Sequence, residues 1–75
     1  MYSIEWLTSR SKTEAVERTA YDGVLQRAAF VYAQSNFAEI KRKHPAVNGF
    51  RIVNGAGEEV ERWFVGDNYR QPRLP

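Results

Sequence analysis

Polar and apolar positions alternate at the start of the chain. Tyr2, Ile4 and Trp6 are interleaved with Ser3 and Glu5, and a period of two marks a strand with one apolar face. Ser9-Arg10-Ser11-Lys12 then reads as a polar turn.

From Lys12 to Lys43 the pattern admits two readings. Ser11 and Glu14 have capping-box spacing, so a helix can begin there. Continued to Lys43 it would hold about 32 residues and reach about 48 Å. A 75-residue domain has an expected radius of gyration of about 11 Å, so such a rod would project beyond any core and the chain must break. Asp22-Gly23 offers one break, because Asp is a good N-cap and Gly costs about 1 kcal/mol inside a helix. Ser35-Asn36 offers another, with Glu39 three residues after Asn36. The first is preferred. Thr13 to Tyr21 then forms a second strand hairpinned onto the first, and Asp22 caps a helix from about Gly23 to Lys43. Glu14, Ala15 and Glu17 weigh against that strand, being poor strand formers.

Leu25, Ala28, Ala29, Tyr32, Ala33, Phe37 and Ile40 recur at helical spacing and share one stripe, which Val24 and Val31 widen. Lys41, Arg42 and Lys43 fall in the last turn, where cations complement the helix dipole. His44-Pro45 ends the helix, because the residue before proline disfavours helical dihedrals. Phe50 to Val53 and Glu58 to Val65 read as a hairpin around the turn Asn54-Gly55-Ala56-Gly57. From Gly66 to Pro75 no periodicity remains, and two prolines and the terminal position point to a flexible tail.

The predicted fold is α+β: a single domain over residues 1–65, ordered β-β-α-β-β, with one helix on one face of a small antiparallel sheet. The fallback is β-α-β-β with a longer or broken helix. Residues 66–75 are its tail.

Composition narrows the chemistry. The chain has no cysteine and a single histidine, so no thiol nucleophile, disulfide or histidine pair is available. Neither a metal site nor a cofactor site is expected. Two Trp, four Tyr and four Phe supply a dense aromatic core, which a chain this short needs if it lacks staples. Pairing with a second copy would be another source of stability, so a homodimer is also considered. The net charge of +2 is a weak field. No signal peptide is visible at Met1–Trp6, and no apolar run approaches the roughly 20 residues of a membrane span. A soluble, cytoplasmic protein with no membrane partner is expected.

His44 would need an orienting carboxylate and a nucleophile to act catalytically, and the sequence places neither, so it reads as a loop histidine. Glu59 and Glu61 are expected on one strand face with Glu58 opposite or in the turn, as solvated carboxylates. Gly55-Ala56-Gly57 begins like a phosphate loop, but Val60 stands where the third glycine belongs and no helix follows, so it is a hairpin turn. No catalytic residue is assigned, and the chain is not expected to be an enzyme.

Lys41-Arg42-Lys43-His44 is the strongest basic cluster, with Arg51, Arg70 and Arg73 within potential reach. Together with Trp63 and Tyr69 it mixes cations and rings as nucleic-acid binders do. Trp63 and Phe64 point to opposite faces of the last strand. Only one face meets the helix, so one of the two rings is left for a partner, and aromatic residues are frequent binding anchors. The candidate partner-binding residues are Lys41, Arg42, Lys43, Trp63, Tyr69 and Arg70.

The layout of Tyr2–Thr8, a helix from Gly23 and a hairpin over Phe50–Val65 resembles that of some small phage-encoded anti-CRISPR proteins. The resemblance covers the outline of most of the chain and contains no motif. It implies a stoichiometric inhibitor without catalysis and transfers no residue roles. The expected function is therefore a non-catalytic interaction module for a protein or nucleoprotein partner. The alternative is a small basic nucleic-acid-binding protein.

Overall fold

The computed structural model describes residues 1–11 and 14–67. Its elements are β1 (Tyr2–Leu7), β2 (Glu17–Tyr21), α1 (Gln26–Lys43), β3 (Gly49–Val53) and β4 (Glu59–Phe64). The strands form one antiparallel sheet in the order β2-β1-β3-β4, and α1 lies over β1 and β3. This is the expected α+β arrangement in its β-β-α-β-β form. The radius of gyration is 11.8 Å, which an unbroken helix from Lys12 to Lys43 would not permit.

The alternating pattern of β1 decides the layers. Ile4 and Trp6 are fully buried under the helix with Phe50 and Ile52 of β3. From the helix, Ala29, Phe30, Ala33 and Ile40 meet them. Small residues at 29 and 33 let the helix approach the sheet, and rings fill the spaces on either side. Phe50 lies 5.4 Å from Trp6 and 5.5 Å from Phe30, centroid to centroid, both inclined. Such pairs contribute about 0.5–1.5 kcal/mol beyond the area they bury. No disulfide or cluster of metal-ligand residues staples the described part of the domain.

Several details differ from the sequence reading, among them β3 over Gly49–Val53 and β4 over Glu59–Phe64. β2 begins at Glu17 instead of Thr13, and Thr13 itself lies outside the described residues. The weak strand formers Glu14 and Ala15 stay in the connection, and pairing starts where the Val16 amide donates to the Trp6 carbonyl at 2.8 Å. The helix begins at Gln26 with Leu25 as an extended N-cap, so Asp22 does not cap it. The Tyr21 ring folds over Gly23, which holds residues 22–25 in a crossing from the sheet to the helix layer. The buried stripe includes Phe30, while Leu25, Val24, Val31 and Tyr32 are exposed. Phe30 packs on Phe50 in the core, while Tyr32 turns toward Tyr21 at the end of β2.

At the far end, Gly66 and Asp67 are part of the folded unit. The Asp67 amide donates to the Phe64 carbonyl, and the Phe64 amide donates to an Asp67 carboxylate oxygen, both at 2.9 Å. The β3–β4 turn is held by Asn54, whose Oδ1 accepts from the Ala56 and Glu58 amides at 2.9 Å each. Gly57 takes φ +85° there, a value that L side chains resist. This confirms Gly55-Ala56-Gly57 as a hairpin turn.

Candidate interaction surface

The basic helix end is already occupied. Lys41 Nζ donates to the carbonyls of Pro45 and Val47 at 2.9 and 2.8 Å and to Asn48 Oδ1 at 3.2 Å. It therefore ties down the loop after the helix, which leaves few donors for a partner. Lys43 stands 3.8 Å from the Glu17 carboxylate. Arg42 is exposed, and no described residue pairs with it. Of the three cations, Arg42 and Lys43 remain accessible.

His44 does meet a carboxylate, one that sequence reasoning did not assign to it. Its Nε2 lies 2.9 Å from Glu17 Oε1. The pair joins the end of α1 to the start of β2. No hydroxyl among the described residues bonds the ring, so the arrangement lacks the nucleophile that acyl transfer needs. Among the described residues there is neither a pocket nor a cluster of metal-ligand residues. No described helix is long and apolar enough to cross a membrane.

Trp63 faces the helix. Its ring meets Phe37 at 5.4 Å and Phe50 at 5.7 Å, and it is half-buried. Phe64 faces the other way and is also covered, with the Arg10 guanidinium 4.9 Å and the Arg62 guanidinium 5.8 Å from its ring centroid. The expectation that one of these rings stands open is therefore corrected: the loop after β1 reaches back over the second face. Tyr69, Arg70 and Arg73 lie outside the described residues.

That second face carries a row of charges across all four strands. Arg18 Nε donates to Glu5 Oε2 at 3.1 Å, and Arg51 Nε to Glu5 Oε1 at 2.7 Å. Glu59 takes two bonds from Arg62, at 2.7 and 2.8 Å, and lies 3.6 Å from Arg51. A second Arg51 nitrogen stands 2.7 Å from Glu5, and Arg10 pairs with Asp67. Glu5 is 8% exposed. Burial pushes its carboxyl upward, but hydrogen bonds and charge from Arg51 and Arg18 outweigh this and hold it below the usual carboxylate range. The Arg62 hydrogen bond, opposed by some burial, does the same for Glu59, and Glu59 in turn raises Arg62. The register sets Glu59 opposite Val53 and Glu61 opposite Ile52, with an irregularity between. Glu59 and Glu61 thus lie on opposite faces, which corrects the regular-strand expectation. Glu61 accepts from Gln26 of the helix at 3.1 Å.

The accessible apolar surface is elsewhere, beside β2. Tyr21 ends β2, and Tyr32 stands above it on the helix, centroids 5.2 Å apart. Val24 is 82% exposed, Leu25 64%, Val31 51% and Tyr32 40%. Leu25, Ala28 and Tyr32 follow one another along one flank of the helix by their three- and four-residue spacing. Below them, β2 is a sheet edge, and no described residue pairs with its outer side. Sequence reasoning included Leu25 and Tyr32 in the buried stripe. The extra width of that apolar stripe was the available signal, since one helix over a four-stranded sheet cannot bury so broad a face.

Comparison with protein-family models, curated proteins and solved structures returns no match for this chain.

Proposed function

We propose that this chain is a non-catalytic interaction module that holds a protein partner along the flank formed by β2 and α1. The observation that carries this reading is the exposed pair Leu25 and Tyr32 on the helix flank, with Tyr32 standing over Tyr21 at an unpaired sheet edge and Val24 and Val31 also exposed. Large exposed apolar groups cost free energy in water, and contiguous ones mark interaction sites. A stoichiometric inhibitor, the role implied by the resemblance in layout to anti-CRISPR proteins, is one form such a module takes.

The test uses an affinity-tagged chain recovered from the source cell, beside the Leu25→Asp/Tyr32→Ala variant. A protein recovered in near-equal amount with the native chain, and lost with the folded variant, supports the reading. No stoichiometric companion, or one that the variant retains, overturns it.

Nucleic-acid binding is the second reading, favoured by the row Arg10, Arg18, Arg51 and Arg62. These four arginines face three carboxylates, Glu5, Glu59 and Asp67, so little charge is left for phosphate. A gel-shift titration separates the readings, because phosphate contacts make affinity fall steeply with salt.

A further inference from the structure

We infer that the occupant of the β2–α1 flank is an extended segment of another protein, added to β2 as a fifth strand. The inferred segment carries apolar side chains toward Leu25 and Tyr32 and an acidic side chain toward Arg42 and Lys43. This rests on the interaction-module reading above and narrows it to one kind of partner.

Three observations lead there. The first is the backbone. β2 pairs regularly with β1 through all five of its residues, Glu17 to Tyr21. Its outer N–H and C=O groups are therefore arrayed as a strand template, and pairing with an added strand satisfies them. The opposite edge, β4, is interrupted by its irregularity near Val53, which blunts edge pairing.

The second is size. Four partly exposed side chains, Val24, Leu25, Val31 and Tyr32, supply at most a few hundred Å², on the order of the largest apolar patch on ordinary monomers. A stable dimer needs about 800 Å² from each partner. A second copy paired through β2 would also leave this patch bare. The helix lies over β1 and β3, so at about 4.8 Å per strand the two helices would stand about 19 Å apart. Helices in contact are about 8–10 Å apart. A single added strand, by contrast, lies about 12 Å to the side of the helix axis by the same spacing, and its long side chains can reach toward Leu25 and Tyr32.

The third is charge. At the Glu17 end of β2 the helix presents Arg42 and Lys43, both exposed. Glu17 is shared between Lys43 and His44. An acidic residue fits that end, and the apolar residues fit the Tyr21 end.

The experiment selects binders to the folded full chain from a displayed library of short random peptides. Enriched peptides are expected to alternate apolar residues and to carry Asp or Glu at one end. Amide shifts should map to residues 17–21 and to Leu25 and Tyr32. N-methylation of the peptide nitrogens that face β2 should weaken binding at least tenfold, while methylation of the intervening nitrogens changes it less than twofold. Selection on Arg42→Glu/Lys43→Glu should exchange the acidic preference for a basic one. Failure to enrich any peptide, tolerance of N-methylation throughout, or a β2-dependent dimer in sedimentation would each overturn the inference. If the tagged chain still keeps a Leu25-dependent companion in those cases, the module reading stands and only its extended occupant is lost.

Discussion

Tyr21 and Tyr32 meet with their ring centroids 5.2 Å apart and their planes inclined by 43°. One ends the outermost strand, and the other stands on the helix that overhangs it. Their contact closes the space between β2 and α1 at one end, as Glu17 and His44 close it at the other. Between these two ties the strand edge and the helix flank are held as one surface. Tyr32→Ala should cost about 0.5–1.5 kcal/mol of stability by loss of this ring pair. Leu25→Asp, at an exposed position, should change stability by less than about 0.5 kcal/mol. Urea titration checks both, and a large loss with Leu25→Asp would mean that the flank is structural.

Trp63 should behave in the opposite way. Its ring is packed on Phe37 and Phe50, so Trp63→Ala should lower stability by about 3 kcal/mol. Affinity per folded molecule should be unchanged. If the variant stays as stable as the native chain but loses its partner, Trp63 is the anchor that the sequence pointed to.

Glu5 holds Arg18 and Arg51 together from within the sheet face. Glu5→Gln removes the charge that Arg18 and Arg51 share, at a cost of about 1–3 kcal/mol. Replacing both Glu5 and Arg51 with Leu should cost less than the single change, since a buried pair is often no better than an apolar one. A double-mutant cycle in urea measures the difference.

The same carboxylates fix the acid limb of stability. Glu5 and Glu59 have folded pKa values below their unfolded ones. Their contribution is complete above the unfolded values and is lost as pH falls through the folded ones. Stability should therefore be flat near neutrality with respect to these two groups and fall below about pH 4. Arg62, raised by Glu59, would lose its contribution only in strong alkali. Glu5→Gln should flatten the acid limb, and an unchanged limb would remove Glu5 from it.

Gly49 lies where the Phe64 ring and the Trp63 carbonyl leave no space for a Cβ. Gly49→Ala should destabilise by about 1–3 kcal/mol through forced displacement. A thermal melt unchanged from the native chain would show that the strands can separate to admit it.

The sequence was most legible where periodicity and packing agree. Tyr2, Ile4 and Trp6 alternate because one face of β1 is buried, and the Asn54–Gly57 turn carries its own geometry. The helix was legible in extent near its end, where His44-Pro45 stops it, but not at its start. There the Tyr21 ring on Gly23, a contact between separate elements, overrides the cap that Asp22 offers. The site was less legible for the same reason. Lys41-Arg42-Lys43 reads as a free basic cluster until the fold brings the Pro45 and Val47 carbonyls to Lys41. Trp63 reads as an open ring until the helix supplies Phe37. Leu25 and Tyr32 read as core because helical spacing records which residues share a stripe, and says nothing of where the sheet beneath them ends.

A photo-crosslinking amino acid placed at position 32, and separately at position 58 in the distant β3–β4 turn, tests the central claim most directly. Irradiated in the source cell, the chain labelled at 32 should form one discrete protein adduct that Leu25→Asp abolishes, and the chain labelled at 58 should form none. Adducts of equal yield at both positions, or an adduct at 58 alone, would contradict the assignment of this flank as the surface through which the protein works.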